Sequence, residues 1–309
     1  MKKVLAIVGP TASGKTEIAL SIVAKLNAEI ISADSRQIYK YIPIATAVPS
    51  KQDLSAVKHY FIEELELEVE FNSGEYGKAG GEIIFDIFLR HKIPIVVGGS
   101  GLYLKSLIEG FFEGKTEEKE IREKLEQRMK NEGKESLYSE LMSVDSESAL
   151  KMDATKFRRV IRALEVYYVT GKKMSDIQKE KINVGFETIQ IGLNLPRDYL
   201  YERINNRVDK MIEIGLIDEI KLLKDKGYHY KTHSSLNTVG IKEVFRYLEG
   251  ELTKDKMTIL IKQNSRQYAK RQMTWFRKDK NINWILVERN TSVNDTAKKI
   301  VSVYLKKQI

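Results

Sequence analysis

The stretch that most restricts what this 309-residue chain can fold into is Gly9-Pro10-Thr11-Ala12-Ser13-Gly14-Lys15-Thr16. It follows the apolar run Val4-Leu5-Ala6-Ile7-Val8 and opens into Glu17-Ile18-Ala19-Leu20, so the order is strand, glycine turn, helix. The pattern Gly-x4-Gly-Lys-Thr wraps an anion with backbone N–H groups and a helix N-terminus. Lys15 then brings a point charge to the outer phosphates, and the Thr16 hydroxyl helps hold a magnesium ion. A motif of this kind demands an α/β architecture: a P-loop NTPase-like parallel sheet with flanking helices. It identifies phosphate, not ATP.

The length allows such a core together with an inserted subdomain. With 42% hydrophobic and 31% charged residues the composition is that of a soluble globular protein, and no apolar run reaches the length of a membrane span. The opening Met1-Lys2-Lys3 resembles a signal start, but its apolar stretch is short and runs straight into the glycine turn, so no targeting segment is expected. Zero cysteines exclude disulfides and thiolate metal sites, and His59, His91, His229 and His233 have no ligand spacing. The expected compartment is the cytoplasm of a prokaryote. A net charge of +9 suits a polyanionic partner, because Lys and Arg drive association with nucleic acid by neutralising phosphates.

Along the chain, Ile18, Ala19, Ile22, Val23 and Leu26 are spaced to cover one face of a helix. Glu29–Ala33 reads as a buried strand that delivers Asp34 to its C-terminal end, beside whatever occupies the phosphate loop. Asp34 has two readings: a magnesium-bridging acid or turn cap, and a general base. Asn72 and Ser73 read as caps of a helix reaching about His91, followed by a strand at Ile93–Val97 and the loop Gly98-Gly99-Ser100-Gly101. That strand does not end in the acid that closes many nucleotide-hydrolysing sites. From residue 113 to 135 there are seven basic and eight acidic residues, and from 151 to 181 nine basic and four acidic. Residues 113–186 are therefore expected to form an inserted helical subdomain with a basic face carrying Arg158 and Arg162, between core segments 1–112 and 187–309. A strand at 188–193 re-enters the core, a helix from Asp198 carries Arg203 and Arg207, and a long helix over about 256–277 follows. Residues 262–280 hold seven basic residues and one acid among Tyr268, Trp275 and Phe276, a pattern that fits either a nucleic-acid wall or a solvated basic face.

Four stretches together resemble the tRNA dimethylallyltransferases: GPTASGKT at 9–16, SADSRQIYK at 32–40, VGGSGLY at 97–103 and RQYAKRQMTWFR at 266–277. RRVIRALEV at 158–166 and RINNRVDKMIEIGL at 203–216 also fit, and the resemblance runs from about residue 4 to 287. It implies transfer of a dimethylallyl group from its pyrophosphate to the exocyclic amine of the adenosine on the 3′ side of a tRNA anticodon. By the same resemblance the catalytic residues are Asp34, the base, Arg207, which contacts pyrophosphate, and Ser100, which stands where the family usually carries threonine and keeps a hydroxyl to hydrogen-bond the base or the pyrophosphate. RNA contacts are implied for Asp34, Ser35, Arg36, Gln37, Gly101, Arg122, Arg158, Arg159, Val160, Ile161, Arg162, Asn237, Thr238, Val239, Gly240, Ile241, Lys242, Arg266, Lys270 and Arg271. Gln37 also carries the amide that pairs bidentately with adenine. The partners expected are the anticodon stem-loop, dimethylallyl pyrophosphate and magnesium, with no membrane, and the chain is expected to be a monomer. Relatives from fungi and animals often add a C-terminal zinc finger, for which this chain has no cysteines. Two other readings are a prenyltransferase acting on free adenylate, which would not need the basic insert, and a nucleic-acid-binding P-loop ATPase or small-molecule kinase.

Overall fold

The computed structural model of the chain describes residues 2–110, 118–180 and 182–307. They fall into two compact units, Met1–Ile108 with Val184–Ile309, and Glu109–Asn183. The expected junction between 112 and 113 lies outside the described residues, and the chain returns to the first unit at Val184 instead of 187.

The first unit is built on six parallel strands: β1 (Lys3–Val8), β2 (Ala28–Ala33), β3 (His59–Tyr60), β4 (Ile93–Gly98), β5 (Glu187–Asn194) and β6 (Asn283–Leu286). Their order across the sheet is β3-β2-β4-β1-β5-β6, each pair parallel. The central strands read as continuous apolar runs because both faces are covered. On β1, Val4, Ala6 and Val8 enter one core and Leu5 and Ile7 the other. Strand β3 had no counterpart in the sequence reading. Two residues are too few to show a period, and they pair only because β2 lies alongside, with Ile30 opposite His59 and Ile31 opposite Tyr60.

The register aligns the strand ends. Val8 lies opposite Gly98 and Gly192, and Gly98 lies opposite Ala33, so the segments after β1, β2 and β4 emerge on one edge. Gly98 is required by this closeness, since a Cβ there would lie 2.1 Å from the Ala33 carbonyl oxygen. An alanine would push β2 and β4 apart where Asp34 and Ser100 leave the sheet.

Helix Lys15–Leu26 buries Ile18, Ala19, Ile22, Val23 and Leu26, the expected face. Asn72 caps Ser73–Leu89, its side chain accepting from the Gly74 and Glu75 N–H groups while Glu75 accepts from the Asn72 N–H. Helices Arg197–Glu213 and Lys254–Phe276 belong to the same unit. The second unit is helical with its own core, formed by Leu125, Leu137, Leu141, Ala149, Val160, Ile161, Ala163 and Leu164. No helix among the described residues is long and apolar enough to cross a membrane.

Candidate active site

The loop between β1 and helix Lys15–Leu26 is held from outside itself. Gln272 Oε1 accepts from the Thr11 N–H at 2.8 Å, and Arg203 Nε donates to the Ala12 carbonyl at 2.8 Å. Ala12 lies in the left-handed region, φ +62°, a conformation that costs a residue with a Cβ about 1 kcal/mol or more. Lys15 Nζ folds back onto the Pro10 carbonyl at 2.7 Å. Burial and the neighbouring Arg207 lower the Lys15 ammonium to about 7, with Asp34 opposing them. Ser13 Oγ is buried without a partner among the described residues, and the Thr16 hydroxyl makes no hydrogen bond to a described group. A buried hydroxyl without a partner carries a desolvation cost that a phosphate oxygen would relieve.

Asp34 leaves the end of β2. Its Oδ1 accepts from the Arg36 N–H at 2.9 Å and, more weakly, the Gln37 N–H at 3.4 Å, so the acid caps the following turn. Its Oδ2 has no hydrogen bond to a described residue, leaving one carboxylate oxygen for another task. Ser100 Oγ accepts from the Ser35 N–H at 3.0 Å and so ties the glycine loop after β4 to the segment that carries Asp34. Arg36 donates through Nη1 to the Ser234 and Ser235 carbonyls.

The guanidinium of Arg207, one turn after Arg203, makes no hydrogen bond to a described residue. Burial lowers its proton affinity, with Asp34 opposing. It lines a cavity of about 90 Å³ together with Thr11, Asp34, Arg36, Tyr268 and the apolar Ile204, Val208, Met211 and Ile261. The cavity therefore combines the buried Arg207 guanidinium, the Asp34 carboxylate and an aliphatic wall, with the buried Lys15 close enough for Arg207 and Asp34 to act on its charge. Such a combination suits an anionic headgroup joined to a short hydrocarbon.

Comparison with known proteins gives the same reading. The family model described as IPP transferase matches residues 37–279. The chain belongs to the tRNA dimethylallyltransferase family. It is 42% identical over 307 residues to the tRNA dimethylallyltransferase of Thermoanaerobacter sp. (strain X514), covering 97% of this chain and 96% of that one. To the enzyme of that name from Acetivibrio thermocellus it is 43% identical over 304 residues, with 97% and 96% covered. Among solved structures it is similar to the full-length tRNA isopentenylpyrophosphate transferase of Bacillus halodurans, with a TM-score of 0.75, 35% identity, and 99% and 97% of the two chains covered. A eukaryotic dimethylallyltransferase acting on tRNA superposes with a TM-score of 0.86 at 29% identity, covering 99% of this chain and 80% of that one.

The structure divides the family-implied RNA contacts into several groups. Thr238, Val239 and Gly240 line the cavity, while Ile241 is buried below them, Asn237 is exposed and Lys242 half-buried. Gln37 is already engaged: its Oε1 accepts from Ser32 Oγ, and its Nε2 donates to the Thr46 and Ala47 carbonyls. Gly101 lies under Trp275, whose Nε1 would be 2.2 Å from a Cβ placed there. Arg266 is braced on Asn205 Oδ1 at 2.7 Å, whereas Lys270 and Arg271 are exposed, with Arg271 over the Tyr268 ring.

In the helical unit, Val160 and Ile161 belong to the core, so their side chains hold the bundle together. Arg122 and Arg162 both pair with Glu165, a fully buried carboxylate, at 2.9 and 2.8 Å. Arg158 and Arg159 are exposed. Two arginines one turn apart thus have different duties, which helical spacing alone did not separate. Arg162→Ala is expected to destabilise this unit by about 1.5–3 kcal/mol, because it removes a charged hydrogen bond from a buried acid; chemical denaturation measures it. Arg158→Ala with Arg159→Ala should leave stability unchanged and reduce the salt slope of tRNA binding by about 0.7–0.9 for each phosphate no longer neutralised.

Gln272, Arg203 and Tyr268 were not assigned roles from the sequence. For Gln272 a signal existed: Ala269, Gln272 and Phe276 share the buried stripe of their helix, so an amide sits where an apolar side chain is expected.

Proposed function

We propose that this chain transfers the dimethylallyl group of dimethylallyl pyrophosphate to the exocyclic amine of the adenosine on the 3′ side of the tRNA anticodon. The observation that carries this reading is the meeting of Arg207 and Asp34 on a cavity with an aliphatic wall, with Lys15 of the phosphate loop close enough for both to act on its charge. Pyrophosphate would enter the glycine turn, where Lys15 exchanges the Pro10 carbonyl for a phosphate oxygen and Arg207 gains a hydrogen-bonded anionic partner. The five-carbon chain would lie along Ile204, Val208, Met211 and Ile261. The exocyclic amine of adenine is a poor nucleophile because its lone pair is delocalised into the ring. Asp34, holding its turn with Oδ1, has Oδ2 to accept the proton. As the nitrogen–carbon bond forms, the carbon–oxygen bond to pyrophosphate breaks, and Lys15, Arg207 and the loop amides take up the charge that develops on the leaving group.

Magnesium fits this donor set. Among the described residues no group of three His, Asp or Glu could hold a metal, and magnesium takes few protein ligands when phosphates supply the others. Thr16 would provide the protein ligand, and the ion would supply charge neutralisation of the pyrophosphate. A single-stranded anticodon loop lets the target base leave its stack at low cost. Exposed Arg158, Arg159, Lys270 and Arg271 offer charge to the RNA backbone. All invoked groups come from one chain, so the acting unit is proposed to be a monomer, working in the cytoplasm.

The test is a transfer assay with labelled dimethylallyl pyrophosphate, magnesium and an unmodified anticodon stem-loop. Label in the RNA at the expected adenosine is the predicted result. Label in free AMP but not in RNA, or phosphate release from ATP in place of transfer, would overturn it.

A further inference from the structure

We propose that Gln272 is a positioning residue that sets the register between the phosphate loop and the glycine loop after β4. The inference rests on the reading of the phosphate loop as the donor site and of Asp34 and Ser100 as the acceptor side.

One buried amide joins the two loops. Oε1 accepts from the Thr11 N–H at 2.8 Å, and Nε2 donates to the Gly99 carbonyl at 3.0 Å. Gln272 is 7% exposed, in a helix whose neighbouring buried positions are Ala269 and Phe276. A buried amide on an apolar stripe is costly unless both its ends are satisfied, and here each end is satisfied by a different loop. Gly99 is shaped to the contact, since a Cβ at that position would lie 2.2 Å from Gln272 Nε2.

The phosphate loop needs such a hold. Its segment 10–12 includes Ala12 in the left-handed region, a conformation that persists only where the surroundings impose it. Three side chains bind this segment: Lys15 at the Pro10 carbonyl, Gln272 at the Thr11 N–H and Arg203 at the Ala12 carbonyl. When Lys15 turns to a phosphate, Gln272 and Arg203 remain. Of these two, Gln272 alone reaches the loop that carries Ser100, and Ser100 in turn holds the Ser35 N–H beside Asp34. The linked series Thr11, Gln272, Gly99, Ser100, Ser35 therefore fixes where the leaving group stands relative to the base. Gln272 touches neither reacting group; it acts through the two loops.

The experiment is steady-state transfer by the full chain, comparing wild type with Gln272→Met, which keeps length but loses both hydrogen bonds, and Gln272→Glu, which keeps an acceptor for Thr11 but loses the donor to Gly99. A misplacement of about 1 Å between reacting groups costs up to about 10²-fold. Gln272→Met is expected to lower kcat about 10- to 100-fold with the KM for the stem-loop within about two-fold of wild type, and Gln272→Glu is expected to fall between them. Measurements are made well below each thermal midpoint, so a loss of folded protein is not read as a loss of rate. A kcat within two-fold of wild type for a folded Gln272→Met overturns the proposal, as does a loss confined to KM. If Gln272→Met does not fold, Gln272→Glu decides by the same criteria. Wild type showing no transfer would instead remove the proposed function, and the two failures are thereby distinct.

Discussion

Asp34→Asn is expected to lower the rate of dimethylallyl transfer by about 10²- to 10⁴-fold, the span that a positioned general base contributes. Asparagine is the sharper substitution. Its side-chain oxygen still accepts from the Arg36 N–H, so the turn capped by Asp34 Oδ1 survives while the proton acceptor is lost. Alanine would remove both, and a fall in activity would then mix lost chemistry with a loosened turn carrying Arg36 and Gln37. The checks are single-turnover transfer and, separately, binding of the unmodified stem-loop, which should remain within about three-fold of wild type. Lost binding with an unchanged single-turnover rate would make Asp34 a recognition residue instead of a base.

Arg207→Met should lower kcat by about 10²- to 10³-fold, comparable with the removal of one donor that stabilises developing charge. It also has a consequence at Lys15. Burial first, and Arg207 second, bring the Lys15 ammonium from its ordinary 10.5 to about 7. Between those values the unfolded chain holds a proton that the folded, ligand-free chain lacks, so stability rises with pH from about 7 to 10.5. Taking away Arg207 removes one lowering influence, and the start of that rise should move to higher pH. Thermal midpoints measured across this range on wild type and variant give the displacement directly. The same protonation favours pyrophosphate, so binding above pH 7 should be accompanied by proton uptake, visible as a dependence of the binding enthalpy on buffer ionisation. An unmoved stability profile in Arg207→Met would mean that the two cations do not interact in the ligand-free protein.

Much of the fold was legible because its signals are local. The run Val4–Val8, the glycine turn and the stripe Ile18, Ala19, Ile22, Val23 and Leu26 lie within a few turns of chain, and their periods reveal strand, loop and helix directly. The capping of Ser73–Leu89 by Asn72 was likewise readable from neighbouring residues. The motif residues themselves, from Gly9 to Thr16 with Asp34, Ser100 and Arg207, were visible as residue types in a familiar pattern. Their separate duties were not. The buried Glu165 takes Arg122 and Arg162 as ion-pair partners while Arg158 and Arg159 stay exposed, a division that depends on how the helices of that unit pack. Gln37 uses its amide on Ser32, Thr46 and Ala47 because the turn after β2 folds back against residues 43–47.

By itself, the sequence determined a parallel α/β core with a phosphate loop at a strand end, since hydrophobic period and glycine placement act over short stretches of chain. Tertiary structure alone decided which distant groups share that edge of the sheet. Strand order and register place Val8, Ala33 and Gly98 level with one another. The helix Lys254–Phe276 then brings Gln272 onto Thr11 and Gly99, across 261 and 173 residues of chain. No local pattern encodes such a contact, because it exists only once the sheet is assembled and the helix has packed against it.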